Sequence, residues 1–209
     1  MKLIKTVFPC GGLSLEACLE LPEVPGPLPG VVICHPHPLY GGNLDNNVVT
    51  AVSSALASAG IAGLRFNFRG VGRSQGSYGQ GNGEMEDARA ALKFLSGREE
   101  TDPARIGLMG YSFGGMVALG VGGTEDLVKA LAAVSPVVPP GPYKELSARP
   151  KYIICGEADS IIPAREILSW SGELEGPKKI EVIPGADHFW WGREDDLANR
   201  VAGFFKQYL

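Results

Sequence analysis

The sequence predicts an α/β protein whose sheet is mostly parallel and covered by helices on both faces. Apolar segments alternate with segments of helical periodicity from residue 30 onward, which is the pattern of strand–helix–strand units. The segment GVVICHP at 30–36 is continuously apolar up to Cys34, as expected for a strand buried on both faces. A length of 209 residues is typical of one domain of this class, so we expect residues 1–209 to form a single domain.

The elements follow in order along the chain. Residues 2–9 and 13–21 are predicted as two antiparallel strands that turn at Gly11-Gly12 and lie at one edge of the sheet. Further strands are predicted at 30–36, 61–68, 105–112, 131–136, 151–159 and 178–185. Helices are predicted at 46–60, at 84–96, near Gly114, near Pro163 and at 193–208. The last of these carries one apolar stripe, formed by Leu197, Val201, Phe204, Phe205 and Tyr208.

Composition excludes several classes of function. A formal net charge of −4 and the lack of any basic run argue against nucleic-acid binding, which needs concentrated Lys and Arg. The chain shows no apolar run long enough for a membrane span and no signal-peptide pattern, so we expect no membrane insertion. The cysteines lack metal or redox spacing, which predicts a reduced, cytoplasmic protein without a metal or other cofactor; they are Cys10, Cys18, Cys34 and Cys155.

A serine between two glycines is the first candidate for chemistry. The segment GYSFG at 110–114 fits the pattern G-x-S-x-G, and it stands between an apolar strand and a small-residue helix as that pattern requires. A sharp strand-to-helix turn lifts the hydroxyl of Ser112 clear of the backbone at the carboxyl end of the strand. Because ligands bind at that end of parallel sheets, we predict Ser112 as a nucleophile.

A nucleophilic serine needs a base, and the chain contains only three histidines. His35 and His37 follow the first parallel strand, and His188 follows the last one. In this motif class the histidine comes last in the chain, so His188 is the predicted base. The pair His35 and His37 is not accompanied by further ligands at metal-binding spacing, and we expect both side chains to support their loop.

The acid that orients the base is expected after the strand at 151–159. Glu157 and Asp159 both lie there, and we favour Asp159 because it is deeper in the loop, two residues before the apolar pair Ile161-Ile162. A buried carboxylate at this place would hold the imidazole tautomer and stabilise the imidazolium. Asp187, next to His188, is a weaker alternative because neighbours in an extended loop point apart.

These segments together resemble a known family. GYSFGG, GEAD and GADHF, in this order on an alternating chain, are similar to the α/β-hydrolases, and the similarity covers almost the whole sequence. HPHPLYGGNLDNNVV and RFNFRGVGRSQG resemble a bacterial subgroup of small, dienelactone-hydrolase-like predicted hydrolases. The resemblance implies hydrolysis of an ester or thioester through an acyl-enzyme, with Ser112, Asp159 and His188 as the triad, and it identifies no substrate.

An oxyanion formed by attack on a carbonyl needs two preset hydrogen-bond donors. One is expected to be the backbone N–H of Phe113, the residue after the nucleophile. The other should come from the loop after the first parallel strand, where Pro36 and Pro38 have no N–H. The amides of His37 and Leu39 remain, and we favour His37.

The segment VVPPGPYKELSARP at 137–150 is too short for a lid of several helices, so we expect a shallow, open site. The predicted substrate pocket is bordered by Leu39, Tyr40, Phe113, Trp190 and Trp191, although the two tryptophans could instead pack in the core. An open apolar site favours short acyl chains, since methylenes left in water add little binding energy.

These expectations combine into a serine hydrolase that cleaves small carboxylic esters. A thioesterase or an acyl-peptide-type hydrolase would use the same residues, and a noncatalytic binding member of the fold is the alternative from another class. The N-terminal edge hairpin and the exposed aromatic residues leave room for a homodimer.

Overall fold

The computed structural model describes residues 1–138, 146 and 149–209. Its central element is an eight-stranded sheet. Its strands are β1 (Lys2–Cys10), β2 (Leu13–Leu21), β3 (Leu28–Cys34), β4 (Ala62–Phe66), β5 (Thr101–Tyr111), β6 (Val128–Val134), β7 (Lys151–Gly156) and β8 (Lys178–Ile183). Their order is β1-β2-β4-β3-β5-β6-β7-β8. The hairpin β1–β2 is antiparallel and pairs antiparallel with β4, whereas the pairs from β4 to β8 are parallel. The predicted α/β fold with an antiparallel edge hairpin is confirmed.

Helices cover both faces of the sheet. They are α1 (Asn47–Ser58), α2 (Asn82–Ser96), α3 (Phe113–Gly122), α4 (Ala164–Gly172) and α5 (Glu194–Tyr208). The apolar residues of α1 and α5 form one core cluster with the sheet, and those of α2, α3 and α4 pack in a second cluster on the opposite face. Each helix lies within a few residues of its predicted position, and α3 begins one residue earlier, at Phe113.

The stripe on α5 packs directly on the centre of the sheet. Phe205 is fully buried, and Gly107 of β5 leaves the space for its ring: a Cβ on Gly107 would lie 2.6 Å from the Phe205 Cε1 atom. Tyr208, at the helix end, is 41% exposed and marks the limit of the stripe. The tight contact between an aromatic ring and a glycine of the central strand fixes α5 on this face.

The carboxyl ends of β3, β5, β7 and β8 open onto the same edge of the sheet because these strands run parallel. The residues predicted for the site lie in the loops after these strands, apart from Phe113, which begins α3. No helix among the described residues is long and apolar enough to cross a membrane.

We predict that Phe205→Ala lowers the free energy of unfolding by about 3–5 kcal/mol, because it removes a fully buried ring from a face that cannot collapse onto β5. Urea denaturation followed by circular dichroism measures the change. The exposed Gln207→Ala on the same helix is the control and should change stability by less than about 0.5 kcal/mol. Equal effects of the two substitutions would contradict this packing.

Candidate active site

Ser112 occupies a strained turn between β5 and α3. Its backbone has φ 55° and ψ −118°, a conformation that costs a residue with a side chain about 1–3 kcal/mol. Four backbone hydrogen bonds maintain it: Ser112 N donates to Val134 O at 2.9 Å, and Ser112 O accepts from the amides of Gly115 at 2.9 Å, Val137 at 3.1 Å and Met116 at 3.2 Å. The surrounding structure therefore determines the position of the serine hydroxyl.

The two glycines of G-x-S-x-G are required by close backbone approaches. A Cβ on Gly110 would lie 1.9 Å from the carbonyl oxygen of Gly114. A Cβ on Gly114 would lie 2.3 Å from Cys34 O and 2.5 Å from His35 O. Any side chain at either position would separate the turn from the strand before it or from the loop after β3.

The three residues predicted as a triad are connected by two hydrogen bonds, both of which involve His188. Ser112 Oγ is 3.1 Å from His188 Nε2, and His188 Nδ1 is 2.7 Å from Asp159 Oδ2. In the neutral imidazole, Nδ1–H donates to the carboxylate and Nε2 accepts the serine proton. This order of contacts is the one that lets a histidine withdraw a proton from a serine.

Asp159 is held as a carboxylate in a buried position. Its side chain is fully buried, and its Oδ1 accepts hydrogen bonds from Ile161 N at 3.0 Å and Ile162 N at 2.8 Å. Burial opposes ionisation, but the hydrogen bonds from His188 and from the two amides outweigh it, so the pKa of Asp159 lies below its usual value. The negative charge opposite His188 is therefore present at neutral pH.

The two alternative acids have other partners. Glu157 Oε2 accepts from Gly185 N at 3.1 Å, and Asp187 Oδ1 accepts from Trp190 N at 2.7 Å. Both carboxylates thus brace the loop that carries His188. Among the three candidates, the structure places only Asp159 against the histidine ring.

The two residues predicted to supply the oxyanion donors lie next to each other. Within the described part of the chain, neither the amide of Phe113 nor that of His37 donates a backbone hydrogen bond. The amide of Leu39 donates to His37 Nδ1 at 3.2 Å, so it is occupied. The rings of His37 and Phe113 are 4.8 Å apart between centroids, which brings the two loops into contact. This arrangement favours the His37 amide over that of Leu39.

Comparison with known proteins identifies the family. Residues 11–155 match the family model described as X-Pro dipeptidyl-peptidase (S15 family), and this match includes Ser112 but ends before Asp159 and His188. The chain belongs to this family of α/β hydrolases.

Solved structures and curated relatives agree with this assignment. A structure described as an alpha-beta serine hydrolase homologue from Coxiella burnetii is 32% identical, with a TM-score of 0.87 and coverage of 97% of each chain. A serine hydrolase without a lid from Xanthomonas campestris is 28% identical, with a TM-score of 0.85 over 99% of this chain and 95% of that one. An uncharacterized protein of Rickettsia prowazekii is 33% identical over 183 residues, which are 83% of this chain and 76% of that protein.

This α/β hydrolase has the same fold as the Xanthomonas campestris hydrolase that lacks a lid. The predicted absence of a lid concerns segment 137–150, of which residues 139–145, 147 and 148 lie outside the described residues. Within the described ranges, no cluster of His, Cys, Asp or Glu side chains could hold a metal ion.

A cavity of about 350 Å³ contains Ser112 and His188 in its wall. It is lined by Pro36, His37, Tyr40, Gly41, Gly42, Asn46, Tyr111, Ser112, Ile161, His188 and Phe189. Tyr40 lines it as predicted, whereas Leu39 and the buried Phe113 do not belong to its lining.

The prediction that the tryptophans border the substrate pocket is wrong for this cavity, and the alternative, packing in the core, holds for Trp190 only. Trp190 is fully buried, and its Nε1 donates to Ser135 Oγ at 3.3 Å. Trp191 is 69% exposed and lines a separate surface depression beside Glu194. The cause is a tight turn: Trp190 has φ 60°, so consecutive aromatic side chains point in different directions and Phe189 lines the cavity in their place.

The sequence did not predict several side chains that line this cavity or hold the loop of His188. Ile161 and Phe189 form the rim of the cavity and are 59% and 49% exposed. Tyr111 Oη donates to His188 O at 2.6 Å and so fixes the histidine loop, while Asn47 Nδ2 donates to Phe189 O at 3.0 Å. The available signal was position: Tyr111, Ile161 and Phe189 all lie within three residues of a predicted triad member.

Asp159 predicts a pH dependence of stability. Because its folded pKa is lowered, the ionised carboxylate stabilises the fold above its unfolded pKa of about 3.9, and this contribution is lost as pH falls through the folded value. We expect Asp159→Asn to lose about 1.5–3 kcal/mol at neutral pH. The difference from the wild type should shrink below about pH 4.

Urea titrations at a series of pH values measure that difference. The exposed Glu99→Gln serves as the control, for which we expect no comparable pH-dependent difference. A difference between wild type and Asp159→Asn that stays constant down to acid-induced unfolding would contradict the ionised, hydrogen-bonded carboxylate.

Proposed function

We propose that this α/β hydrolase is a serine carboxylesterase that hydrolyses esters of short, neutral acyl groups. The observation that carries the proposal is the continuous hydrogen-bonded path from Ser112 Oγ through His188 to the buried Asp159, opening onto a cavity. A strained serine with a base and an oriented acid is the arrangement that nucleophilic catalysis requires.

In the first half-reaction, Ser112 Oγ attacks the ester carbonyl carbon while His188 Nε2 takes the hydroxyl proton. Asp159 stabilises the imidazolium, and the amides of Phe113 and His37 donate to the oxyanion. Each such donor supplies about 2.7–4 kcal/mol of transition-state stabilisation. The tetrahedral intermediate collapses when His188 returns the proton to the leaving alkoxide, which releases the alcohol and leaves an acyl-Ser112 ester.

In the second half-reaction, a water molecule gives one proton to His188 Nε2 and attacks the acyl carbon. Collapse of the second tetrahedral intermediate returns that proton to Ser112 Oγ and releases the carboxylic acid. The sum is one ester and one water converted to one acid and one alcohol, with the enzyme restored. No group other than the side chains and amides named above is needed for these steps.

The cavity supports short and neutral acyl groups. Its volume is about 350 Å³, and none of the described residues in its lining is a Lys, Arg, Asp or Glu. Its rim is open: Tyr40 is 87% exposed, beside the exposed Ile161 and Phe189. Methylenes beyond this rim stay in water and contribute little of the roughly 0.8 kcal/mol that full burial of each would give.

We predict that p-nitrophenyl esters are hydrolysed with kcat/KM highest among short acyl groups when the series runs from acetyl to palmitoyl. Ser112→Ala should reduce kcat by at least about 1,000-fold, because no other group can form the acyl-enzyme. Release of p-nitrophenol measures both. Ser77→Ala, which changes an exposed loop serine, is the matched control and should leave the rates unchanged.

The same series made as thioesters separates the related activities. A preference for thioesters over oxygen esters of equal acyl length would make the enzyme a thioesterase, and a palmitoyl optimum would contradict the shallow site. Failure of both series and of acyl-peptide substrates would overturn the hydrolase proposal and favour a noncatalytic binding function.

A further inference from the structure

The imidazole of His37 caps the turn that follows its own backbone amide. His37 Nδ1 accepts the N–H of Leu39 at 3.2 Å and so caps the one-turn 3-10 helix Pro38–Tyr40. The carbonyl oxygen of His37 accepts from Tyr40 N and Gly42 N, both at 3.1 Å. Side chain and backbone of one residue thus close the same turn.

The other ring nitrogen is also engaged, and this defines the tautomer. His37 Nε2 lies 3.2 Å from Tyr78 Oη. Since Nδ1 accepts the Leu39 N–H, the ring proton is on Nε2, which donates to the phenol oxygen. The ring also packs against Tyr40 and Phe113, at centroid distances of 4.7 and 4.8 Å. The imidazole is therefore fixed by two hydrogen bonds and by aromatic contacts.

A second histidine, His35, holds the peptide bond between Pro36 and His37 through the carbonyl oxygen of Pro36. His35 Nδ1 donates to Pro36 O at 2.6 Å, while His35 Nε2 accepts from Phe68 N at 3.1 Å. Burial lowers the pKa of His35 to about 4, so this ring is neutral and keeps both bonds. In a trans peptide the N–H points away from the carbonyl oxygen, so fixing Pro36 O also directs the N–H of His37.

We infer that the His37 side chain is a positioning residue, which acts as a hydrogen-bond acceptor and keeps its own backbone N–H aimed at the oxyanion. Without the acceptor, the turn Pro38–Tyr40 loses its cap, and the His37 N–H is held only through Pro36 O and is aimed less accurately at the oxyanion. This role rests on the proposed function of Ser112. It adds the requirement that the side chain of residue 37 carry a hydrogen-bond acceptor.

Three substitutions separate the effect of the acceptor from that of the ring. His37→Asn supplies a side-chain oxygen that can accept the amide two residues later but has no ring. His37→Phe keeps a ring against Phe113 and Tyr78 but has no acceptor. His37→Ser is a second acceptor without a ring. Circular dichroism and thermal melting confirm that each variant is folded before its kinetics are compared.

The readouts are kcat and KM for p-nitrophenyl acetate, and the inhibition constant of an alkyl trifluoromethyl ketone, which forms a tetrahedral oxyanion on the serine. We expect His37→Phe to lower kcat about 10- to 100-fold with KM changed less than about twofold, because the loss falls on the transition state. The inhibition constant should rise by the same factor. His37→Asn and His37→Ser, which keep an acceptor, should each have a kcat at least about threefold higher than that of His37→Phe.

Wild-type rates in His37→Phe, or equal losses in His37→Asn and His37→Phe, would overturn the acceptor role, the second result by assigning the effect to the ring. The proposed function is tested separately within the same experiment. If the wild type neither hydrolyses the ester nor binds the trifluoromethyl ketone, the esterase proposal fails. If the wild type does both and Ser112→Ala does neither, the esterase proposal stands, and the His37 variants then test the positioning role alone.

Discussion

The close contact between the backbone at Gly114 and the loop after β3 is the constraint on which the site depends. A Cβ at this position would lie 2.3 Å from Cys34 O, so only glycine lets the start of α3 approach that loop. The contact brings the loop of His37 against the start of α3, where the rings of His37 and Phe113 are 4.8 Å apart, next to the strained backbone of Ser112. The strained turn that carries Ser112 is thereby held by contacts within the protein itself.

Around that contact, the buried polar side chains of Asp159, Tyr111 and His35 all have hydrogen-bond partners. Asp159 keeps its charge because two amides and His188 donate to it, and Tyr111 secures the carbonyl of the histidine loop. His35 stays neutral and holds a peptide plane. Of the three histidines, one faces the serine hydroxyl and two shape the loop after β3, a division set by their hydrogen-bond partners.

Much of this arrangement was predictable because it follows from short-range patterns. Continuous apolar segments predicted the parallel strands, and the order of Ser112, Asp159 and His188 after strand ends predicted that they would meet. The direction of side chains in irregular loops was not predictable. Trp190 turns into the core because its φ is positive, which leaves Phe189 at the cavity, and no periodicity signals that turn.

Whether His188 activates Ser112 as a nucleophile is tested most directly by covalent labelling of the folded protein with an alkyl fluorophosphonate. Peptide mapping with mass spectrometry then locates the label. The reagent reacts only with a serine whose proton is withdrawn by a neighbouring base. We expect one modified residue, Ser112, and we expect labelling to be lost in His188→Ala as well as in Ser112→Ala. Labelling at another serine, or no labelling of a folded wild type, would contradict it.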